Sequence, residues 1–192
     1  MFEKTAGPDR VDRRLPLYAA LGVIVLFVPV AFSQPDISLL GYVLLITFIS
    51  LASIVVFLRD AMARRTWSCV SIVSMLIVGW TISSVLVANN VVIRGAARWL
   101  VWSNHYKAEV LAKPISSDGG LKHIEWDGWG WAGQDTTVYL VFDPTDSLST
   151  AARSHESGML SGIPCEVNVV RRLEGHWYSA QFYTNEFWDR CH

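Results

Sequence analysis

Three side chains on one short stretch are spaced to do chemistry together. His123, Glu125 and Asp127 alternate through LKHIEWDGWGW, and alternation puts side chains on one face of an extended strand. An imidazole between two carboxylates is an acid–base arrangement, because histidine titrates nearest neutral pH. Three polar groups on a strand face more often form the solvated side of a half-exposed antiparallel strand. No catalytic residue is therefore assigned, and these three are the candidates an enzyme would use.

The other chemical signatures are missing. His155-Glu156 lacks a second histidine four residues on, and no CxxC occurs, so neither a metal nor another cofactor is expected. Gly-x-Ser-x-Gly is absent although Ser161 has a glycine near each side, and so is a phosphate-cradling glycine loop. The run WDGWGW is the most distinctive piece. Trp126, Trp129 and Trp131, separated by glycine, suit a binding platform for a protein partner or a glycan. Large rings also fill the core of a small domain or rest on a bilayer surface. Trp177, Tyr178, Phe182, Tyr183, Phe187 and Trp188 carry the same alternatives.

Cysteine placement bears on the compartment. Cys69 lies in an apolar run and reads as a buried small hydrophobe. Cys165 and Cys191 are the only two in the last hundred residues, and a disulfide between them is expected if that half meets an oxidising compartment. It would close a loop of about 26 residues, worth on the order of 3 kcal/mol in the chain-entropy model. In a domain with so little core that is a large share of its stability.

The elements that must carry these groups fall into two halves. Leu15–Ser33, Ile37–Leu58 and Trp67–Ile93 contain no Asp, Glu, Lys, Arg or His, and each is close to or above the length that crosses a bilayer. Residues 1–14 are a polar leader, and residues 94–192 form a separate water-facing domain. Pro16 suits the first turn of the first span, and Pro29 would bend it. Leu15–Ser33 also has the small-x-small ending of a cleavable signal, Ala31-Phe32-Ser33; cleavage would leave the topology unchanged. Spans without ionisable groups argue against a pump or coupled transporter working alone. Gly79 and Ser83 form a small-xxx-small pair, read as packing within the three-helix bundle rather than as a dimer contact.

Orientation follows from the basic residues. Lys4, Arg10, Arg13 and Arg14 precede the first span and Arg59, Arg64 and Arg65 follow the second, while the link 34–36 has none. Arg94 and Arg98 count the other way. The balance puts the amino terminus in the cytoplasm and residues 94–192 outside, in a bacterial periplasm. The chain has no Asn-x-Ser/Thr sequon, which agrees with a bacterial inner membrane.

From Arg94 on there are nine basic and twelve acidic residues, and no basic run marks a nucleic-acid or anionic-lipid patch. Nucleic acid is excluded as a main partner; the bilayer and a periplasmic protein are the expected ones. Arg94–Ser103 reads as helix, and Tyr106, Ala108, Val110 and Ala112 alternate with polar residues as in a strand. Leu121–Trp131 and Thr136–Phe142 are the next strands, with a bulge expected at Asp127-Gly128. Asp143-Pro144-Thr145-Asp146 reads as the cap of a helix running to Glu156 and stopped by Gly158. Cys165–Arg172, with Cys165, Val167 and Val169 on one face, and His176–Tyr183 form a closing hairpin. The expected fold is thus three transmembrane helices followed by a small α+β domain with an antiparallel sheet of about five strands.

The expected function is binding: a membrane-held interaction or inhibitor module, for instance an immunity protein guarding the membrane against a toxin from outside. A membrane-tethered envelope enzyme acting on glycan or lipid is the rival. An accessory subunit of a membrane complex is the third class.

Overall fold

The computed structural model describes residues 12–33, 35–63, 65–114, 120–131, 134–154, 156–183 and 188. The chain divides into two compact units, Met1–Arg94 and Gly95–His192. The first holds α1 (Leu15–Phe32), α2 (Pro35–Met62) and α3 (Thr66–Ala88), each long and apolar enough to cross a membrane.

Their packing is made by small and aromatic residues. Phe27 meets Tyr42 edge to face at 5.2 Å, and the Tyr42 hydroxyl donates to buried Ser83 at 3.0 Å. Ser83 therefore serves the bundle's interior, and Gly79 lets Val23 of α1 approach α3. Cys69 is a free, half-buried thiol rather than a buried one, 3.8 Å from the Phe57 carbonyl. The third span ends at Ala88, five residues before the expected end. Asn89 and Asn90 turn their amides onto the carbonyls of Val85 and Val87, both at 2.8 Å, and that competition with the helix ladder breaks it. Val91 to Ile93 belong to the next helix, α4 (Asn90–Ala112).

The segment 106–112 expected as a strand is the last part of α4. Alternation over eight residues fits a helix as well, because Trp99, Tyr106 and Val110 recur at helical spacing. Ala108, Glu109, Leu111 and Ala112 also favour a helix. Those three aromatic and branched side chains pack together on one side, with Val110 fully buried.

The second unit is built on a four-stranded antiparallel sheet, order β1-β2-β6-β5, of β1 (Lys122–Trp131), β2 (Gln134–Phe142), β6 (Trp177–Tyr183) and β5 (Val169–Glu174). A two-stranded ribbon, β3 (Gly158–Met159) with β4 (Glu166–Val167), accompanies it. The architecture is therefore a helix followed by an α+β unit with a four-plus-two division of strands. Both faces of the main sheet are covered. Ile124, Trp126, Val138, Leu140 and Trp177 face Trp99, Tyr106 and Val110 of α4. Tyr139, Val141, Val170, Tyr178, Ala180 and Phe182 face Leu148, Ala152, Ile163, Cys165 and Trp188.

Two local readings need correction. The helix after Asp143 is short, α5 (Ser149–Ser154), because Asp143 spends its carboxylate on a turn instead. The strand at 165–172 is interrupted at Asn168, so the buried set is Cys165, Val167 and then Val170, with Val169 only half-buried. Gly162 closes the approach to β1. At its φ of +80° an added Cβ would lie 2.9 Å from Leu121 Cγ.

Leu140 has no exposed surface and sits in the middle of β2 against α4. Leu140→Ala should lower the unfolding free energy by about 2–5 kcal/mol. Exposed Tyr183→Ser should stay within about 0.5 kcal/mol. Denaturant titration of the detergent-solubilised chain, followed by near-ultraviolet circular dichroism of the tryptophan cluster, separates the two.

Candidate functional site

The ladder between β1 and β2 sets where each polar side chain of β1 goes. His123 pairs with Val141 and Glu125 with Tyr139, so these two share the face carrying Tyr139 and Val141. The register then slips, because Trp126 is an extra residue between Glu125 and Asp127. After the slip Asp127 pairs with Val138 and Trp129 with Thr136, on the face packed by α4. A bulge changes the phase of everything beyond it. The expected trio is therefore split: His123 and Glu125 stay together, and Asp127 lies on the opposite face.

On that opposite face Asp127 makes an ion pair with Arg98 at 3.0 Å, both side chains largely buried. Arg98 also donates to the Trp126 carbonyl at 3.3 Å, so one guanidinium grips the bulge at two points. Trp126 is buried, edge-on to Trp99 at 6.5 Å and Tyr106 at 6.0 Å. Trp129 is half-buried against the same cluster. These two rings serve the packing of α4 on the sheet. The Trp131 side chain lies outside the described residues.

The face that keeps His123 and Glu125 carries an open cleft of about 330 Å³, lined among others by Lys113, Pro114, Lys122, His123, Glu125 and Tyr139. That volume is within the range of small-ligand or side-chain pockets. Trp188 lies 4.0 Å from the imidazole of His123 in a stacked arrangement, and Tyr139 meets it edge-on at 5.6 Å. His123 Nδ1 lies 2.9 Å from the Leu121 carbonyl. A carbonyl only accepts, so Nδ1 carries the proton and Nε2 is the basic nitrogen of the neutral ring. Lys122 is tied by its Nζ to the Leu111 carbonyl at 2.7 Å. The cleft thus offers both charge signs, an oriented imidazole and an aromatic wall. Among the described residues no group of three or more His, Cys, Asp or Glu side chains is placed to hold a metal ion.

A second polar cluster escaped sequence reasoning. Asp143 is fully buried, and its two oxygens accept from Thr145 N and Oγ1, Ser147 Oγ and Leu148 N at 2.7–3.0 Å. Desolvation pushes its pKa up, but these donors together outweigh burial and hold it below 3.8. Asp146, at φ 59°, accepts from the Tyr178 hydroxyl at 2.5 Å and from Arg172 at 3.0 Å, with His176 Nδ1 3.6 Å away. The Tyr178 hydrogen bond first, and the Arg172 charge after it, hold the Asp146 carboxyl low against some desolvation. Together these contacts weld the turn after β2 to the β5–β6 hairpin. The signal was present in DPTDS, an Asx-type turn sequence that looks identical to a helix cap until the partners are known.

No family model matches the chain, and no curated protein or solved structure does either.

Burial, and then the Asp146 hydrogen bond, push the Tyr178 phenol up from 10 to about 12. A raised pKa means the protonated form is favoured in the fold. Its contribution is full below pH 10 and is lost as pH rises through about 12. The two low carboxylates act in reverse, contributing above pH 3.8 and failing as pH falls below it. Tyr178→Phe should remove the last tyrosinate absorbance step of an alkaline titration and leave the earlier ones. A full set of late steps in that variant would contradict the assignment.

Proposed function

We propose that the chain is a multi-pass protein of a bacterial inner membrane whose second unit works in the periplasm as a binding module. Its concrete form is an interaction or inhibitor protein of the immunity type, which captures a protein partner arriving from outside. The observation that carries this is the cleft along β1. Lys122, Glu125 and His123 line it with Tyr139, and mixed charges around an aromatic wall suit recognition of a polar protein segment.

The arginines support the orientation: they cluster before α1 and after α2, and lysine and arginine are retained on the cytoplasmic side. A Cys165–Cys191 disulfide fits that compartment. Among the described residues Cys69 is a free thiol. Trp188, three residues before Cys191 in sequence, packs in the same core cluster as buried Cys165; Cys191 itself lies outside the described residues. A reporter enzyme that matures only outside the cytosol, fused after His192, should be active. Activity confined to a cytosolic reporter would reverse the orientation, and free alkylation of both late cysteines in unreduced cells would remove the disulfide.

One observation favours the enzyme alternative: His123 and Glu125 open into the same cleft. The two readings separate by crosslinking. A photo-reactive residue in place of Glu125 should give a discrete adduct of higher mass in intact cells. The same residue at exposed Glu166, on β4, should not. If neither position gives an adduct but His123→Ala abolishes the cellular phenotype, the enzyme reading replaces the binding one.

A further inference from the structure

We propose that the groove between α1, α2 and α3 holds an acyl chain of an anionic phospholipid, with Arg13 and Arg14 at its headgroup. The groove is half-open, about 290 Å³ in volume, and walled by Leu15, Gly22, Ile49, Gly79 and Trp80. Its surface is almost entirely carbon. Of the two hydroxyl-bearing residues that line it, Tyr18 and Ser50, Ser50 already accepts from Trp80 Nε1 at 3.0 Å.

The void exists because side chains are missing on facing helices. At Gly22 an added Cβ would meet nothing within 4 Å, and at Gly79 it would meet only Val23 Cγ2 at 3.9 Å. Apolar cavities of this kind do not hold water. Among helices that are each long and apolar enough to span a bilayer, the apolar material at hand is lipid hydrocarbon.

Charge selects the lipid. The Asp12 backbone N–H donates to Ser71 Oγ at 2.9 Å, which fixes the start of α1 beside the early turns of α3. Ser68 donates to Asp60 at 2.5 Å, which fixes the end of α2 there as well. Arg13, Arg14, Arg59 and Arg65 are scattered along the sequence, yet these two contacts gather them at one end of the bundle. Exposed Arg13 and Arg14 immediately precede Leu15 at the groove's end. Among the described residues the acids at that end are engaged: Asp60 is buried against Ser68 and 3.8 Å from Arg59, and Asp12 accepts the Arg14 backbone N–H at 2.9 Å.

The test uses the full chain in phosphatidylcholine bilayers doped with phosphatidylglycerol or phosphatidylcholine, each spin-labelled near the acyl terminus and read by electron paramagnetic resonance. The anionic phosphatidylglycerol should be favoured in the slow-motion component by about fivefold for each arginine engaged. Gly22→Leu puts side-chain carbon into the groove from a Cβ that meets nothing within 4 Å, and should lower the number of immobilised lipids per chain by about one. Arg13→Gln with Arg14→Gln should weaken that preference towards equal association while leaving that number unchanged. Equal association in the native chain, or an unchanged count in Gly22→Leu, would overturn the proposal.

Discussion

Arg98 holds β1 at the one place where its ladder slips. Its guanidinium reaches both the carbonyl of the extra residue, Trp126, and the carboxylate of Asp127. A buried ion pair is worth keeping only when its hydrogen bonds are well made, and breaking one partner leaves a charge without compensation. That contact ties α4 to the sheet and fixes which face each later residue of β1 takes. Trp126 and Trp129 then complete a cluster with Trp99, Tyr106 and Trp177. His123 and Glu125, ahead of the slip, are left to the cleft on the other face.

The fold was legible where a single physical signal dominated. The absence of charge over twenty or so residues identified three membrane-length helices, and alternation with β-branched and aromatic residues identified β1, β2 and β6. It was illegible where two structures satisfy the same pattern. Residues 106–112 alternate like a strand but present Tyr106 and Val110 at helical spacing, and only the sheet beneath them decides. DPTDS could cap a helix or close an Asx turn, and the choice depends on Tyr178 and Arg172, both more than 25 residues away.

The candidate site shows the same division. A bulge was foreseen near Asp127-Gly128, but its consequence for side-chain facing was not followed through. With Trp126 as the extra residue, a trio becomes a pair, His123 and Glu125, and an ion pair, Arg98 and Asp127. The ring that stacks on His123 was hidden for another reason. Trp188 is far from His123 in sequence, and nothing local indicates that the two rings stack. In the first unit, Gly79 and Ser83 on one helix read as close packing, and here Gly79 together with Gly22 also leaves a space. Both units thus place their unusual features where side chains are re-aimed or omitted rather than where a motif announces them.

A double-mutant cycle on Arg98→Met and Asp127→Asn, read by denaturant unfolding of the full chain, probes the splitting of β1 most directly. The account predicts a coupling energy of about 0.5–3 kcal/mol, as for residues in one ion-pair network. Additive effects, within about 0.3 kcal/mol, would mean that Arg98 does not hold Asp127 and would contradict it.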